Sequence, residues 1–322
     1  MADTFGQIAV GLLQGIVILL GAPLLVGILQ WLKERLQLRR GPGPLQIYRD
    51  LGKRCARPAM RPTSSGVTAV TPYVLVAAYG LLAFMVPVIS PMTLLQGDFI
   101  LVIYLLGLAR FMLSLAGLDG GAPFAGLGVS REMFLQFLTE IGFGLLVVGL
   151  AVRWGTTDMA VVFKQHWDLG ITAFLGEPEL VVLGLALFCL TLLEAERLPV
   201  EHPATNLELT RAQSNITSEF SGRDYESTLW PETIKLVFLV ILAAQLFVPM
   251  PYAEFPQPWM TGPLVLVASI VGFLVRISLL IVGLAVWEVI QPKQRLRAAP
   301  RIALISMVFS TVAILYTLAF PA

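Results

Sequence analysis

Long apolar stretches separated by short polar loops run through the whole chain. A helix needs about 20 consecutive apolar residues to cross the hydrocarbon layer of a bilayer, so stretches near that length indicate membrane spans. Eight such stretches cover roughly residues 6–31, 69–89, 99–117, 133–152, 179–195, 233–249, 263–287 and 302–320. The segment 157–176 is too polar for a span, and we expect it to lie along the interface. The pattern predicts an all-α, polytopic membrane protein with about eight transmembrane helices in a single domain, residues 1–322.

Composition agrees with this prediction and excludes several classes of function. Hydrophobic residues make up 57% of the chain and charged residues only 13%, whereas soluble domains carry about 25% charged residues. The formal net charge of +1 is too small for a nucleic-acid-binding protein, which needs a cationic surface. Cys55 and Cys189 lack the spacing of a zinc or iron–sulfur site, and the two histidines do not supply the axial ligands of a bis-histidine haem. We therefore expect no metal and no cofactor in this chain, and a cofactor, if there is one, belongs to a partner.

Lysine and arginine residues are distributed unequally between the two sides of the predicted helices. Loops rich in these residues remain in the cytoplasm. If both termini lie on the outer, periplasmic side, 17 of the 22 Lys and Arg residues fall in inner loops, and the outer loops hold only Arg153 and Lys164. This asymmetry predicts that residues 39–66 and 196–231 form cytoplasmic loops.

The first of these loops combines basic residues with a tight turn and a short amphipathic stretch that suggests an interfacial helix. The residues of interest are Arg39, Arg40, Gly41, Pro42, Gly43 and Pro44 in the turn, followed by Arg49 and Asp50. One interpretation is a basic loop that contacts anionic lipid headgroups. The other, which we favour because of the Gly-Pro turn, is a docking surface for a partner subunit.

The fourth predicted span carries a row of polar side chains on one face. Glu132, Gln136 and Glu140 recur at intervals of four residues, which aligns them along a helix and puts Glu140 about 12 Å deeper than Glu132. A carboxyl group at that depth can exchange protons if water or another carboxylate reaches it. The alternative is a neutral glutamate that is hydrogen-bonded to a neighbouring helix. We expect Glu132 and Glu140 to belong to a proton path.

A second group of acidic residues follows the fifth span. It comprises Glu194, Glu196, Glu201, Glu208, Glu219, Asp224 and Glu226. A solvated acidic loop is one explanation. An ordered loop that lines a hydrated funnel or contacts a cytoplasmic subunit is the better one, because Pro199 and Pro203 stiffen it. Arg276 lies deep in its span and needs a partner inside the bundle, whereas Lys235 can extend its ammonium group to the interface.

Several motifs resemble one known family when they are taken together. They are residues 39–51, 97–111, 115–121, 128–133, 194–210 and 219–222. This combination is similar to the membrane-anchor subunit that respiratory complex I, as its subunit 1, shares with the energy-converting [NiFe] hydrogenases. The compact Arg-Gly-Pro-Gly-Pro turn and the stretch from Pro203 to Thr210 look most like the formate hydrogenlyase type.

The resemblance implies a function and a set of partners. It implies a non-catalytic subunit without a redox centre in the bacterial inner membrane, which docks a cytoplasmic redox module and carries part of a carboxylate path for proton or sodium translocation. The implied partners are hydrogenase-like large and small subunits and an iron–sulfur subunit, together with antiporter-like membrane subunits and lipid. The soluble partners would hold iron–sulfur clusters, with or without a Ni-Fe site. By position, the path would include Asp119, Glu132, Glu140, Glu194, Glu196, Glu201, Glu208 and Glu219, and we add Arg276. A quinone-reactive subunit and a stand-alone ion transporter are the alternatives.

Overall fold

A computed structural model describes most of the chain. It covers residues 2–60, 66–88, 90, 93–197, 216–248, 262–291 and 299–320. The main helices are α1 (Ala2–Leu36), α2 (Gln46–Cys55), α3 (Val67–Met85), α4 (Phe99–Asp119), α5 (Pro123–Trp154), α6 (Met159–Gly176), α7 (Pro178–Glu194), α8 (Gly222–Phe247), α9 (Gly262–Ile290) and α10 (Ala299–Ala319). Within this described part, the only extended pairing is one isolated bridge between Asp98 and Asp158. The predicted all-α fold is confirmed.

Seven of the described helices are long and apolar enough to cross a membrane. They are α1, α3, α4, α5, α8, α9 and α10. The remaining predicted span, residues 179–195, corresponds to α7, whose 17 residues extend about 26 Å. The helix α6 is not among the spans, and its backbone is broken at Gly170, where φ is 73°.

Helix α7 lies alongside α5. A Cβ atom added at Gly142 of α5 would lie 2.6 Å from the side chain of Leu190, and one at Gly149 would lie 2.8 Å from that of Leu183. The contact on α5 moves seven residues towards its end while the contact on α7 moves seven residues towards its start, so the two helices are antiparallel neighbours. That α7 is an eighth span beside the seven helices named above stays a prediction.

The loops divide into two faces, which we name the α2 face and the α6 face after the helices that lie there. On the α2 face, Lys33 at the end of α1 forms an ion pair with Glu288 at the end of α9. On the α6 face, Gln14 in the first half of α1 accepts hydrogen bonds from the backbone of Val88 (2.9 Å) and Ser90 (3.3 Å). The first half of α1 therefore lies towards the α6 face and its end lies at the α2 face.

The last helix runs in the same direction as α5. A Cβ atom added at Gly142 would lie 3.2 Å from Ser306, and one at Gly149 would lie 3.4 Å from Ile314. Helix α10 thus ends on the α6 face, the side towards which the first half of α1 also lies. That this face is the outer one stays a prediction from the positive-inside pattern.

Two helices begin well before the apolar stretches that revealed them. Helix α8 starts at Gly222, inside the segment 196–231 that was predicted as a loop, and α5 starts at Pro123 rather than near 133. The polar first turns of α8 are helical because protein, and not lipid, surrounds them: Asp224 and Glu226 are 6% and 4% exposed. In α5, the residues before 133 include the charged Arg131 and Glu132, which interrupt the apolar pattern inside the helix. Hydropathy locates the apolar part of a membrane helix and not its ends.

The chain folds back along α1 after that helix ends. The carbonyl oxygen of Pro44 approaches Gly27 so closely that an added Cβ atom would lie 2.0 Å away from it. The hydroxyl of Tyr48 in α2 donates a hydrogen bond to the carbonyl oxygen of Leu20. Helix α2 therefore lies beside the middle of α1, while the last turns of α1 project beyond it on the α2 face. That α2 lies at the membrane interface stays a prediction.

The start of α8 offers a test of this packing. Gly222 has a positive φ of 55°, and an added Cβ atom would lie 2.2 Å from the carbonyl oxygen of Pro58. We expect Gly222→Ala to lower the free energy of unfolding by about 2–3 kcal/mol, because backbone strain and a clash act together. Gly121→Ala is the matched control: φ is 70° there, but the space is open, so only about 1 kcal/mol is expected. Unfolding of the purified protein in detergent measures both, and equal losses would contradict the clash.

Candidate functional site

A buried arginine between two buried glutamates forms the centre of the candidate site. Arg110 lies near the middle of α4 and is 4% exposed, while Glu132 of α5 and Glu194 of α7 are 2% and 3% exposed. The Arg110 Nε atom lies 3.0 Å from Glu194 Oε1, and its Nη1 atom lies 3.5 Å from Glu132 Oε1. Burial of these charges is tolerable because each carboxylate faces the same cation.

Arg110 also caps the end of α7. Its Nη2 atom donates a hydrogen bond of 2.8 Å to the backbone carbonyl oxygen of Glu194, which is the last residue of that helix. The final carbonyl groups of a helix lack partners inside the helix, and the helix dipole favours a cation there. One guanidinium group thereby joins α4, α5 and α7 at the depth where α7 ends.

A small cavity extends this site towards the middle of α5. Glu140 and Gln136 line it together with Arg110 and Glu194, and the remaining lining residues are Ile103, Leu106, Gly107 and Phe143. Its volume of about 10 Å³ is close to what one water molecule needs, and the lining offers the polar partners that a buried water requires. Two of the predicted carboxylates, Glu140 and Glu194, therefore face the same space.

Glu140 differs from Glu132 and Glu194 because its side chain is exposed on the outside of the chain. The Gln136 amide donates a hydrogen bond of 2.7 Å to Glu140 Oε1 and one of 3.3 Å to the carbonyl oxygen of Gly107. Neighbouring positions on the same surface carry large exposed apolar side chains, including Phe137 and Ile141. Glu140 is thus a polar group near the middle of a membrane helix with one side towards the cavity and one side towards whatever surrounds the chain.

A second charge pair lies on α8, next to a tyrosine of α3, and reasoning from the sequence missed it. Lys235 is only 1% exposed, so the prediction that it extends to the interface was wrong. Its Nζ atom lies 2.7 Å from Glu232 Oε2 and 5.8 Å from the centre of the Tyr79 ring. Both Lys235 and Tyr79 interact electrostatically with Arg110. Glu232, one helical turn before Lys235, was the available signal, because a carboxylate partner allows a lysine to remain inside.

The other predicted path residues lie nearer the α2 face. Glu196 follows α7, is half-buried and has a positive φ of 52°. Asp119, at the end of α4, accepts a hydrogen bond of 3.3 Å from Thr68, and a Cβ atom at Gly120 would lie 2.6 Å from the carboxylate of Glu219. Glu201 and Glu208 lie outside the described residues.

Arg276 is buried, with 2% of its surface exposed, as expected for an arginine inside a span. It belongs to α9, whose main contacts are with α1 and α8 rather than with α5. The structure therefore does not bring Arg276 to the cluster around Arg110, and its membership of the path stays a prediction.

The predicted docking residues form a projecting surface on the α2 face. Arg39, Arg40, Gly41, Pro42, Gly43 and Arg49 are exposed, and Pro44 and Asp50 are half-buried. Arg54 of α2 anchors this surface to α8 through an ion pair with Glu226 (3.4 Å) and a contact with the ring of Tyr225. The surface is thus attached to the bundle and faces outwards.

The α6 face holds a separate polar cluster. Arg153 Nη2 lies 2.7 Å from Glu177 Oε2, and Arg153 Nε lies 3.5 Å from Glu179 Oε1, so the end of α5 is tied to the start of α7. His166 of α6 is buried, and one of its ring nitrogens lies 2.9 Å from the carbonyl oxygen of Leu246. Burial lowers the pKa of His166 to about 4, so its imidazole is neutral at pH 7.

Within the described residues, no three His, Cys, Asp or Glu side chains are grouped as a metal site requires.

Comparison with known proteins identifies relatives of this chain in sequence and in fold. Residues 9–319 match the family described as NADH dehydrogenase. The chain is 32% identical to formate hydrogenlyase subunit 4 of Escherichia coli K12 over 317 residues, which cover 96% of this chain and 98% of that one. It is 34% identical to hydrogenase-4 component C of the same organism over 250 residues, or 76% of each chain.

The fold is also similar to a solved structure. A chain in the structure of the membrane-bound sulfane sulfur reductase, an archaeal respiratory membrane complex, matches with a TM-score of 0.81 and 19% identity. The match covers 97% of this chain and 99% of that one. The family resemblance carried by the sequence motifs is confirmed. The chain therefore belongs to the NADH dehydrogenase family of complex I subunit 1-like membrane proteins.

Proposed function

We propose that this chain couples a cytoplasmic redox module to ion movement through the membrane. In the proposed complex it binds hydrogenase-like large and small subunits and an iron–sulfur subunit on the α2 face, and antiporter-like subunits within the membrane. It holds no redox centre of its own. The observation that carries the proposal is the cavity that Glu194 and Glu140 share, next to the ion pairs of Arg110.

The orientation follows from charge. The loops on the α2 face contain most of the lysine and arginine residues of the chain, and such loops remain in the cytoplasm. We therefore assign the α2 face to the cytoplasm and both termini to the outside of a bacterial inner membrane. The named relatives, which are formate hydrogenlyase and hydrogenase-4 subunits, support a hydrogenase-type partner on that face.

The proposed path runs from the α2 face into the bundle. Glu196 lies half-buried at the end of α7, Glu194 is fully buried two residues before it, and Glu140 lies across the cavity. A water molecule in that cavity would allow a proton to pass between the last two carboxyl groups. Movement or a change of charge in the docked redox module would alter the electrostatic potential at Glu196 and Glu194, which is how electron transfer would drive the proton.

The exposed position of Glu140 supports a partner within the membrane. An ionised carboxylate at the centre of a bilayer costs about 2.5–3.5 kcal/mol when lipid surrounds it. A neighbouring subunit with its own polar group removes that cost and continues the path. An antiporter-like subunit with a titratable side chain at the same depth is the partner that we infer.

The quinone-reactive alternative, in which a quinone headgroup binds near the first loop on the α2 face, has less support because the turn at residues 39–44 is short. A second cavity between α1, α8 and α9 is lined by Leu25, Val26, Leu29, Leu236, Val237, Val240, Ile277, Ile281 and Leu284. All of these side chains are aliphatic, whereas a ligand site needs a few polar groups that fix the orientation of the ligand. No hydrogen-bond donor in this lining would face a quinone carbonyl group.

Inverted vesicles that contain the complex with a tagged copy of this chain test the proposal. Reduced methyl viologen serves as the electron donor, and protons, which the hydrogenase-like subunits reduce to H₂, serve as the acceptor. A trapped pH-sensitive dye reports the pH of the lumen. We expect viologen oxidation to acidify the lumen and a protonophore to abolish that change. Sodium-free buffer distinguishes a proton from a sodium path.

Two results would reject the proposal: viologen oxidation without a protonophore-sensitive signal, and purification of the tagged chain alone. Ion movement by the chain alone in liposomes would favour the stand-alone ion transporter.

A further inference from the structure

A leucine at the end of α1 occupies a position where glycine is the usual residue. Leu38 has a positive φ of 56° and is 95% exposed. Its N–H group donates to the carbonyl oxygen of Arg35 (3.0 Å), and the N–H group of Arg39 donates to that of Glu34 (2.8 Å). This pair of hydrogen bonds defines a Schellman cap, in which the left-handed residue lacks strain only when it is glycine.

The fold itself gains nothing from leucine at this position. The Cβ atom strains the backbone, and the side chain buries almost no surface against the rest of the chain. Strained backbone and a large exposed apolar side chain coincide at one residue, which points to a contact outside the chain.

Leu38 lies well beyond the level at which α2 packs against α1. Pro44 packs against Gly27 and Tyr48 binds the carbonyl oxygen of Leu20, so α2 lies beside the middle of α1. Leu36, the last residue of α1, is nine residues beyond Gly27, or about 14 Å along the helix axis. The leucine therefore stands at the tip of a projection, beyond the charged Lys33 and its ion pair with Glu288.

The charge around the tip indicates the chemistry of the partner. Arg35, Arg39 and Arg40 flank Leu38 and are all exposed, whereas the acid nearest to it in sequence, Glu34, is half-buried with its carboxylate against Gly41. An apolar side chain within a basic ring is complementary to an apolar pocket with an acidic rim.

We propose that Leu38 is the anchor that inserts into an apolar, acid-rimmed pocket of a soluble subunit docked on the α2 face. This inference rests on the proposed function and adds the residue and the chemistry of the contact. The basic ring steers the approach and fixes the orientation, and the leucine slows dissociation, since most affinity differences within one interface lie in the dissociation rate.

Leu38→Gly distinguishes a docking role from a role in the fold, because the substitution is expected to stabilise the isolated chain and to weaken its binding of the soluble subunits. Glycine relieves the strain, so the thermal midpoint of the isolated chain is expected to rise. The soluble subunits are expected to leave the immobilised complex about tenfold faster or more, as befits the loss of a buried leucine. Leu38→Met is the matched control: it keeps a large apolar side chain and is expected to retain the subunits.

The measurement is the half-life of the soluble subunits on complex immobilised through the tagged chain, in detergent micelles and in nanodiscs. Loss in both media supports a protein pocket. Loss only in nanodiscs would overturn the inference in favour of lipid, and equal half-lives for wild type and Leu38→Gly would also overturn it. If the wild-type chain retains no soluble subunit, the proposed function fails as well, so the two failures are distinguishable.

Discussion

Replacing Arg110 by glutamine is expected to lower the free energy of unfolding by about 3–5 kcal/mol. The substitution leaves Glu132 and Glu194 buried without their common cation and removes the hydrogen bond to the carbonyl oxygen that ends α7. Uncompensated charge in a water-poor interior is among the most destabilising changes known for single residues. Unfolding of the purified chain in mixed detergent micelles measures the loss.

Two controls test whether charge, and not side-chain volume, causes this loss. Arg153→Gln removes an arginine that also faces two glutamates, but its side chain is 14% exposed on the α6 face, so we expect a loss of about 1 kcal/mol. Adding Glu194→Gln to Arg110→Gln removes one of the stranded carboxylates, and we expect it to restore at least about 1 kcal/mol. A double variant that is less stable than Arg110→Gln would show that Arg110 acts through packing alone.

Hydrophobic pattern was sufficient to predict the class of fold and the positions of the spans. Each apolar stretch corresponds to a helix, and the short fifth stretch corresponds to α7, which is antiparallel to α5. The starts of α5 and α8 could not be predicted in this way. In α5 the charged Arg131 and Glu132 interrupt the apolar pattern inside the helix, and in α8 the polar first turns are enclosed by other parts of the protein. A hydropathy scan cannot distinguish a polar side chain in water from one that is buried among other protein side chains.

The candidate site was only partly predictable for a related reason. Periodicity aligned Glu132 with Glu140 on α5, and the structure groups Glu132 with Glu194. The partners of these acids come from helices that are distant in sequence, so no local pattern could identify Arg110 as their cation. Lys235 was misinterpreted because its partners Glu232 and Tyr79 make burial tolerable, a condition that only tertiary structure reveals.

The two buried charge groups link most of the central bundle. Arg110 connects α4, α5 and α7, while Lys235 connects α8 to the aromatic ring of Tyr79 on α3. Arg110 interacts electrostatically with both Tyr79 and Lys235. A change of charge in the cluster around Arg110 therefore alters the electrostatic potential at Lys235, and a change at Lys235 alters the potential at Arg110. Coulomb interactions of this kind are strong in an environment of low dielectric constant. The arrangement suits a proposed path in which events at the α2 face must influence groups inside the membrane.

Replacing Glu140 by glutamine is expected to abolish redox-driven proton movement and to leave the fold and the assembly intact. Glutamine has nearly the same size and can still hydrogen-bond with Gln136, but it cannot take up or release a proton. Because the side chain is exposed on the outside of the chain, its exchange disturbs little internal packing. In the inverted vesicles described above, viologen oxidation should continue without acidification of the lumen.

Glu140→Asp and Glu177→Gln make this result specific. Aspartate keeps a titratable group on a side chain shorter by one methylene, so partial proton movement is expected. Glu177 is a partly exposed carboxylate, paired with Arg153 on the α6 face and distant from the cavity, so Glu177→Gln should leave the signal unchanged. Full acidification by Glu140→Gln would remove this residue from the path, and equal losses in both glutamine variants would indicate a general effect on the membrane domain. If the proton leaves the bundle near the middle of α5, acidification of the lumen is lost only in the variant at position 140, and Glu140→Asp partly restores it.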